Sequence, residues 1–67
     1  MKNLKEIREE RGVSQQELAD MLQVSQKTVS SWECGYRNPG TKKMQQIEDI
    51  FKIPKEEIFF AAFNYKT

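Results

Sequence analysis

The sequence contains no histidine and a single cysteine, Cys34. An internal disulfide is therefore excluded, and so is a Cys/His set with the spacing of a zinc site. With no imidazole, one cysteine and carboxylates scattered among basic neighbours, the chain offers no acid–base pair, nucleophile–base pair or metal set. No catalytic function and no cofactor is expected. Long apolar runs are also missing. The longest, residues 58–63, falls far short of the roughly 20 residues a membrane span needs, and the charged N-terminus lacks the apolar stretch of a signal peptide. A soluble, unexported chain in a reducing cytoplasm is the expectation. Glycine and proline are scarce, and Gly35, Pro39 and Gly40 fall in one stretch, 34–40, where they forbid a continuous helix and mark a loop.

The chain has 67 residues, enough for one domain. A domain of about 60 residues buries only about 60% of its unfolded surface, so a monomer of this size is marginal and dimerisation is useful to it. No sign of charge dominates, since the net charge is +1, but its distribution is uneven. Residues 1–22 carry four basic and five acidic side chains, residues 23–43 four and one, and residues 44–67 three and four. The positive middle third is either a solvated charged face or a surface that meets phosphates, and these few charges alone leave both open.

Residues 14–33, SQQELADMLQVSQKTVSSWE, organise the chain. Ser14 and Glu17 form a capping box that starts a helix. Leu18, Ala19 and Leu22 make its inner stripe, with Asp20 and Gln23 turned to water. Ser25 is a second good N-cap just after Val24, so the chain stops and restarts within about three residues. The new helix, 26–33, buries Val29 and Trp32 and presents Gln26, Lys27, Ser30 and Ser31 outward. Two short helices with a tight turn, the second bearing side chains of the kind that read base edges, have the grammar of a DNA-binding helix-turn-helix.

The flanking segments read as support. Asn3 and Glu6 suit a capping box for a first helix with Leu4 and Ile7 inside, ended by Gly12 in the left-handed region. Thr41 is expected to cap a fourth helix whose Met44, Ile47, Ile50 and Phe51 close the core. Pro54 is expected at the first position of a fifth, with Glu56 and Glu57 favouring its dipole and Ile53, Ile58 and Phe59 returning to the core. The remaining tail, FAAFNY at 60–65, has little core left to enter. Phe60, Phe63 and Tyr65 are read as an intermolecular patch, the alternative being a tail folded back over its own domain. Cys34 is either a plain loop residue or a redox switch, and only Arg37 stands near enough in sequence to lower its pKa.

The pattern Gln15-x-x-Leu18-Ala19, Val24-Ser25, Val29, Trp32-Glu33 and Gly35-x-Arg37-x-Pro39 resembles the helix-turn-helix family of phage Cro and repressor proteins and their bacterial relatives. The resemblance covers roughly residues 3–59 and is specific because it needs a small residue where the helices cross and apolar residues at fixed offsets. It implies an all-α, compact five-helix, lambda-repressor-like domain with the motif at helices 2 and 3, a single domain over 1–67 with 60–67 as its dimerisation tail. It further implies that Arg8 pairs with Glu33 as a structural bond, whose one-sided loss would cost roughly 3–5 kcal/mol if partly buried. By the same likeness Gln26, Lys27 and Ser31 sit at base-reading positions and Thr28 and Ser30 nearer the backbone. Gln15, Arg37, Lys42 and Lys43 would hold phosphates. Two departures stand out: Gln23 where glycine is frequent, at a cost of about 1 kcal/mol if φ is positive, and Cys34 where many relatives carry asparagine. The implied function is a regulator binding a palindromic double-stranded DNA operator as a homodimer, without membrane association. The competing class is a protein-interaction module, an antitoxin or antirepressor, gripping a partner through the tail.

Overall fold

The computed structural model describes residues 3–59, and every regular element among them is helical. Helix α1 (Leu4–Glu10) starts from a reciprocal cap: the Asn3 side chain accepts from the Glu6 N–H at 2.9 Å, and the Glu6 carboxylate accepts from the Asn3 N–H at 3.0 Å. The chain leaves α1 through Gly12 at φ 68°, a left-handed conformation that costs glycine nothing. Helix α2 (Gln15–Leu22) opens on the second capping box, Ser14 with Glu17, at 2.8 and 3.0 Å. It ends at Gln23 with φ 59° and ψ 44°. The turn thus takes a positive φ on a residue with a side chain, where the family resemblance places glycine frequently. Helix α3 (Gln26–Glu33) follows at once, with Ser25 Oγ accepting from the Thr28 N–H at 3.1 Å.

Two helix starts differ from expectation. Helix α4 (Thr41–Phe51) is entered from Gly40, whose carbonyl accepts the Met44 N–H at 2.9 Å, while Thr41 lies inside the first turn and makes no cap. Pro39 is buried, so the chain must turn directly after it, one residue before a threonine cap would allow. Helix α5 (Lys55–Ile58) has Pro54 outside it as the N-cap, with ψ 134° instead of a helical value. Its first N–H is satisfied from another element: Glu48 of α4 accepts from Lys55 N at 3.2 Å and from Lys55 Nζ at 3.4 Å.

The core joins Leu4 and Ile7 of α1, Leu18, Ala19 and Leu22 of α2, Val29 of α3, Met44, Ile47 and Phe51 of α4, and Ile58 and Phe59. Ile50, Ile53 and Trp32 pack on it from its edge. Trp32, expected inside, is only half-buried because one side of its indole forms the wall of a surface cleft. Ala19, fully buried, lets α2 approach α3, and α2 also packs on α4. Cations from elsewhere close the two longest-range helix ends. Lys43 Nζ donates to Leu22 O at 2.7 Å at the end of α2. Arg11 donates to Phe51 O at 2.9 Å at the end of α4, with its guanidinium 5.7 Å from the Phe51 ring centroid. Both place positive charge at the negative end of a helix dipole. Lys43→Ala is therefore expected to cost about 1–2 kcal/mol and lower Tm by roughly 5–15 °C, whereas exposed Lys42→Ala leaves it unchanged; thermal melts by circular dichroism check this. Phe60, Phe63 and Tyr65 lie outside the described residues.

Candidate nucleic-acid interface

The outward side of α3 is polar from end to end. Gln26, Lys27 and Ser30 are exposed, and Thr28 and Ser31 are half-buried. Ser31 Oγ donates to Thr28 O at 2.8 Å. Its proton is thereby committed to the helix, and only acceptor capacity remains for anything outside. Thr28 Oγ1 lies 2.9 Å from Ser25 Oγ, so these two hydroxyls share one hydrogen bond at the start of the helix.

Behind this face runs a chain of hydrogen bonds that begins in the protein interior. Arg8 grips Glu33 through two parallel bonds, Nε to Oε2 at 2.6 Å and Nη2 to Oε1 at 3.1 Å, and its Nη1 donates to Val13 O at 2.7 Å. Both side chains are nearly sealed from water, at 8% and 4% exposure. The hydrogen bond to Glu33 raises the Arg8 pKa above the ordinary arginine value, and burial opposes this without reversing it. Glu33 Oε1 also accepts from Gln15 Nε2 at 2.9 Å, and Gln15 Oε1 accepts from Gln26 Nε2 at 3.3 Å. The sequence reading put Gln15 among the phosphate-holding residues. In the fold its amide bridges the buried carboxylate and the first residue of α3, so Gln26 is held from below.

The basic side chains divide into two groups. Arg8, Arg11, Lys43 and Lys55 are engaged with carboxylates or carbonyls of the protein. Lys5, Lys27, Arg37, Lys42 and Lys52 have no side-chain partner among the described residues, and of these Lys27 lies on α3 and Arg37 just after it. The nearest acid in sequence, Glu33, is consumed internally. The surface around α3 therefore presents uncompensated positive charge, and the sequence reading's open choice between a solvated face and a phosphate-facing one acquires a geometry.

Lys27, Thr28, Ser31 and Arg37 meet as walls of one cleft of about 560 Å³, between α3 and the loop that follows it. Gln15, Gln26 and Lys43 stand apart from it, and Lys43 turns back toward Leu22. The cleft is also lined by residues to which the sequence assigns no contact role: Tyr36, Asn38, Pro39 and Gly40. Their only local signal was an aromatic ring placed between glycine and arginine. The loop is rigid where it leaves α3. Gly35 adopts φ 81°, the Tyr36 N–H donates to Ser31 O at 3.0 Å, and the Gly35 N–H donates to Trp32 O at 3.3 Å, the paired bonds of a Schellman C-cap. Cys34 is exposed, with its thiol 3.5 Å from Ser31 O. Among the described residues no group of histidine, cysteine, aspartate or glutamate side chains stands where it could hold a metal ion, and no helix is long and apolar enough to cross a membrane.

Comparison with known proteins agrees with this geometry. A family model described as helix-turn-helix matches residues 4–58. The chain is 31% identical over 52 residues to the HTH-type transcriptional regulator ImmR of Bacillus subtilis (strain 168), an alignment covering 78% of this chain and 41% of that protein. It is 31% identical over 55 residues to the HTH-type transcriptional regulator AnsR of the same organism, covering 82% of this chain and 47% of that protein. The chain thus aligns with less than half the length of either relative. Two capped helices joined at a left-handed Gln23, with Ala19 at their crossing, form the motif that this match spans, and the chain belongs to the helix-turn-helix family.

Proposed function

We infer that this chain is a sequence-specific double-stranded DNA-binding transcriptional regulator that lays α3 in the major groove. The observation that carries the reading is the asymmetry of charge use around α3: Glu33 and Arg8 neutralise each other inside, while Lys27 on α3 and Arg37 just after it have no side-chain partner among the described residues. A cation without a protein partner costs nothing in water and gains by displacing counterions from a phosphate backbone. In this reading Gln26 and Lys27 read bases, glutamine suiting adenine and lysine the O6/N7 edge of guanine, with Ser31 as an acceptor. Thr28, Ser30, Arg37, Lys42 and the spare donors of Lys43 follow the backbone, and Gln15 orients Gln26. The names of the two Bacillus relatives, both transcriptional regulators, support the same class. Repression at a palindromic operator by a homodimer is the specific form proposed.

Selection of bound fragments from a random duplex pool, followed by footprinting, tests the reading. One enriched motif is expected, and a pool that stays unenriched would refute it. Substitutions should then separate the roles. Lys27→Ala is expected to cost about 1–3 kcal/mol on the selected site and to relax preference at one base position. Lys42→Ala should weaken all duplexes alike and reduce the salt slope by about one ion. Equal loss on selected and random DNA for both variants would remove Lys27 from the base-reading set.

A further inference from the structure

We propose that the cleft between α3 and its following loop is a ligand site for a small organic anion, an aromatic carboxylate, and that a bound ligand blocks DNA by engaging Lys27 and Arg37. The blocking rests on the DNA-binding reading; the site itself does not. Its volume of about 560 Å³ falls within the range of small-molecule sites, roughly 300–1,000 Å³. A protein partner would need about 800 Å² on each side, more surface than this cleft offers. Two kinds of wall meet in it. Lys27 and Arg37 have no side-chain partner among the described residues, and none of the residues lining the cleft is acidic. Half-buried Trp32 and Tyr36, the latter 79% exposed, supply aromatic surface, and Pro39 also lines the cleft. A phenol left this open is apolar area without a cover, which a planar ring can supply.

The wall chemistry selects the ligand. A bare anion would pair with the cations and leave both rings in water. A neutral aromatic molecule would cover the rings and bring no charge to Lys27 and Arg37. A ring bearing a carboxylate does both, because the flat guanidinium of Arg37 matches two carboxylate oxygens and the Lys27 ammonium can approach either of them. Ser31 Oγ has its proton committed to Thr28 O at 2.8 Å, so the two cations, and not this hydroxyl, supply the attraction for an anion. The backbone that carries the site is held in place. The Tyr36 and Arg37 N–H groups both donate to Ser31 O, at 3.0 and 3.2 Å, so ring and guanidinium spring from a segment tied to α3 and little ordering is needed on binding. In the DNA complex proposed above, Lys27 faces a base and Arg37 the backbone. The carboxylate holds both on the protein, and ligand and duplex exclude each other.

Naphthoate is the probe, with naphthamide as its neutral counterpart and acetate as the bare anion. Amide nitrogen–proton correlation spectra of the intact protein, without DNA, should show shifts confined to α3 and the loop. They should include the indole N–H of Trp32, the single tryptophan of the chain. Saturation with a Kd of about 10⁻⁴–10⁻³ M is expected for a ligand of this size. Naphthamide and acetate should each bind at least about tenfold more weakly. Tyr36→Ala, Lys27→Ala and Arg37→Ala should each weaken naphthoate about tenfold. Lys5→Ala, which removes the same charge from α1, should leave its binding unchanged. All four side chains are exposed, and thermal melts check that each variant folds. At ten times its own Kd, naphthoate should raise the Kd of a selected duplex about tenfold. The absence of a saturable shift, shifts scattered over the surface, acetate binding as tightly as naphthoate, a Tyr36→Ala variant that binds like the parent, or a duplex Kd untouched at saturation would each overturn the proposal. A protein that takes naphthoate in the cleft but no duplex, selected or random, would overturn the DNA reading and leave the ligand site standing.

Discussion

Arg8→Ala is expected to lower Tm by roughly 15–30 °C or to leave the chain unfolded at room temperature. Removing one partner of a buried ion pair costs about 3–5 kcal/mol, because the remaining charge is stranded. Each kcal/mol moves Tm by about 4–8 °C in a domain of 60–100 residues. Arg8 and Glu33 are both almost sealed, and the pair joins α1 to the end of α3 across 25 positions of sequence. Total stability for a chain of this length is only on the order of 3–10 kcal/mol. One substitution therefore removes much of it. Calorimetry or circular dichroism of the purified variant checks the outcome. A variant with the parental Tm that fails to bind DNA would place Arg8 at the DNA surface instead of in the scaffold.

The same pair has a role that stability alone does not reveal. Glu33 accepts from Gln15, and Gln15 in turn accepts from Gln26, so the buried carboxylate reaches the first residue of the recognition helix through one amide. Replacing both partners with apolar residues, as in Arg8→Met with Glu33→Leu, is expected to recover most of the lost stability, since well-packed apolar substitutes often equal a buried pair. It leaves the Gln15 amide without its anchor. Such a variant should melt near the parent yet discriminate less at the base that Gln26 is proposed to read, and selection from a random pool would show the relaxed position.

What the sequence disclosed and what it withheld follows from distance along the chain. The Asn3–Glu6 and Ser14–Glu17 boxes, the left-handed Gly12 and the extent of α3 are decided within about four residues and are legible there, whereas the left-handed Gln23 follows only from the family resemblance. The start of α4 was misplaced by one residue because burial of Pro39, a tertiary event, fixes where the chain turns. Pro54 stands outside α5 for a similar reason: Glu48, seven residues before Lys55, accepts the Lys55 N–H. Lys43 on Leu22 and Arg11 on Phe51 span 21 and 40 positions and leave no local trace. A lysine that closes a helix and a lysine that awaits a phosphate look alike in sequence. Only the fold shows Lys43 bound to a carbonyl beside a Lys42 with no side-chain partner among the described residues, and only the fold sets Tyr36 in the wall of a cleft.

Substituting Phe60 and Phe63 together with Ser is expected to leave the domain folded and to lower operator affinity by about 10²–10⁴-fold, the range in which a second tethered contact usually acts. The proposal of a homodimer begins from what one copy can do. A single eight-residue α3 covers a few base pairs, and Lys27, Arg37 and Lys42 would supply few phosphate contacts. Alone, it should struggle to exceed non-specific affinity of about 10⁻⁴–10⁻⁶ M. Two copies about a two-fold axis set their recognition helices about 34 Å apart and demand half-sites one helical turn apart. Among the described residues the core holds eleven apolar side chains, ending in Ile58 and Phe59, and Trp32 and Tyr36 face the cleft. The sequence's remaining cluster of rings is Phe60, Phe63 and Tyr65, outside the described residues and directly after α5. A pair of phenylalanines in contact across the axis would exclude water from both copies at once, which no solitary exposed ring achieves. Sedimentation of the parent at micromolar concentration should give a dimer, and footprints should be symmetric. The Phe60→Ser, Phe63→Ser variant should sediment as a monomer with an unchanged helical spectrum, protecting one half-site at high concentration. A parent that remains monomeric while protecting a single asymmetric half-site would sink the idea.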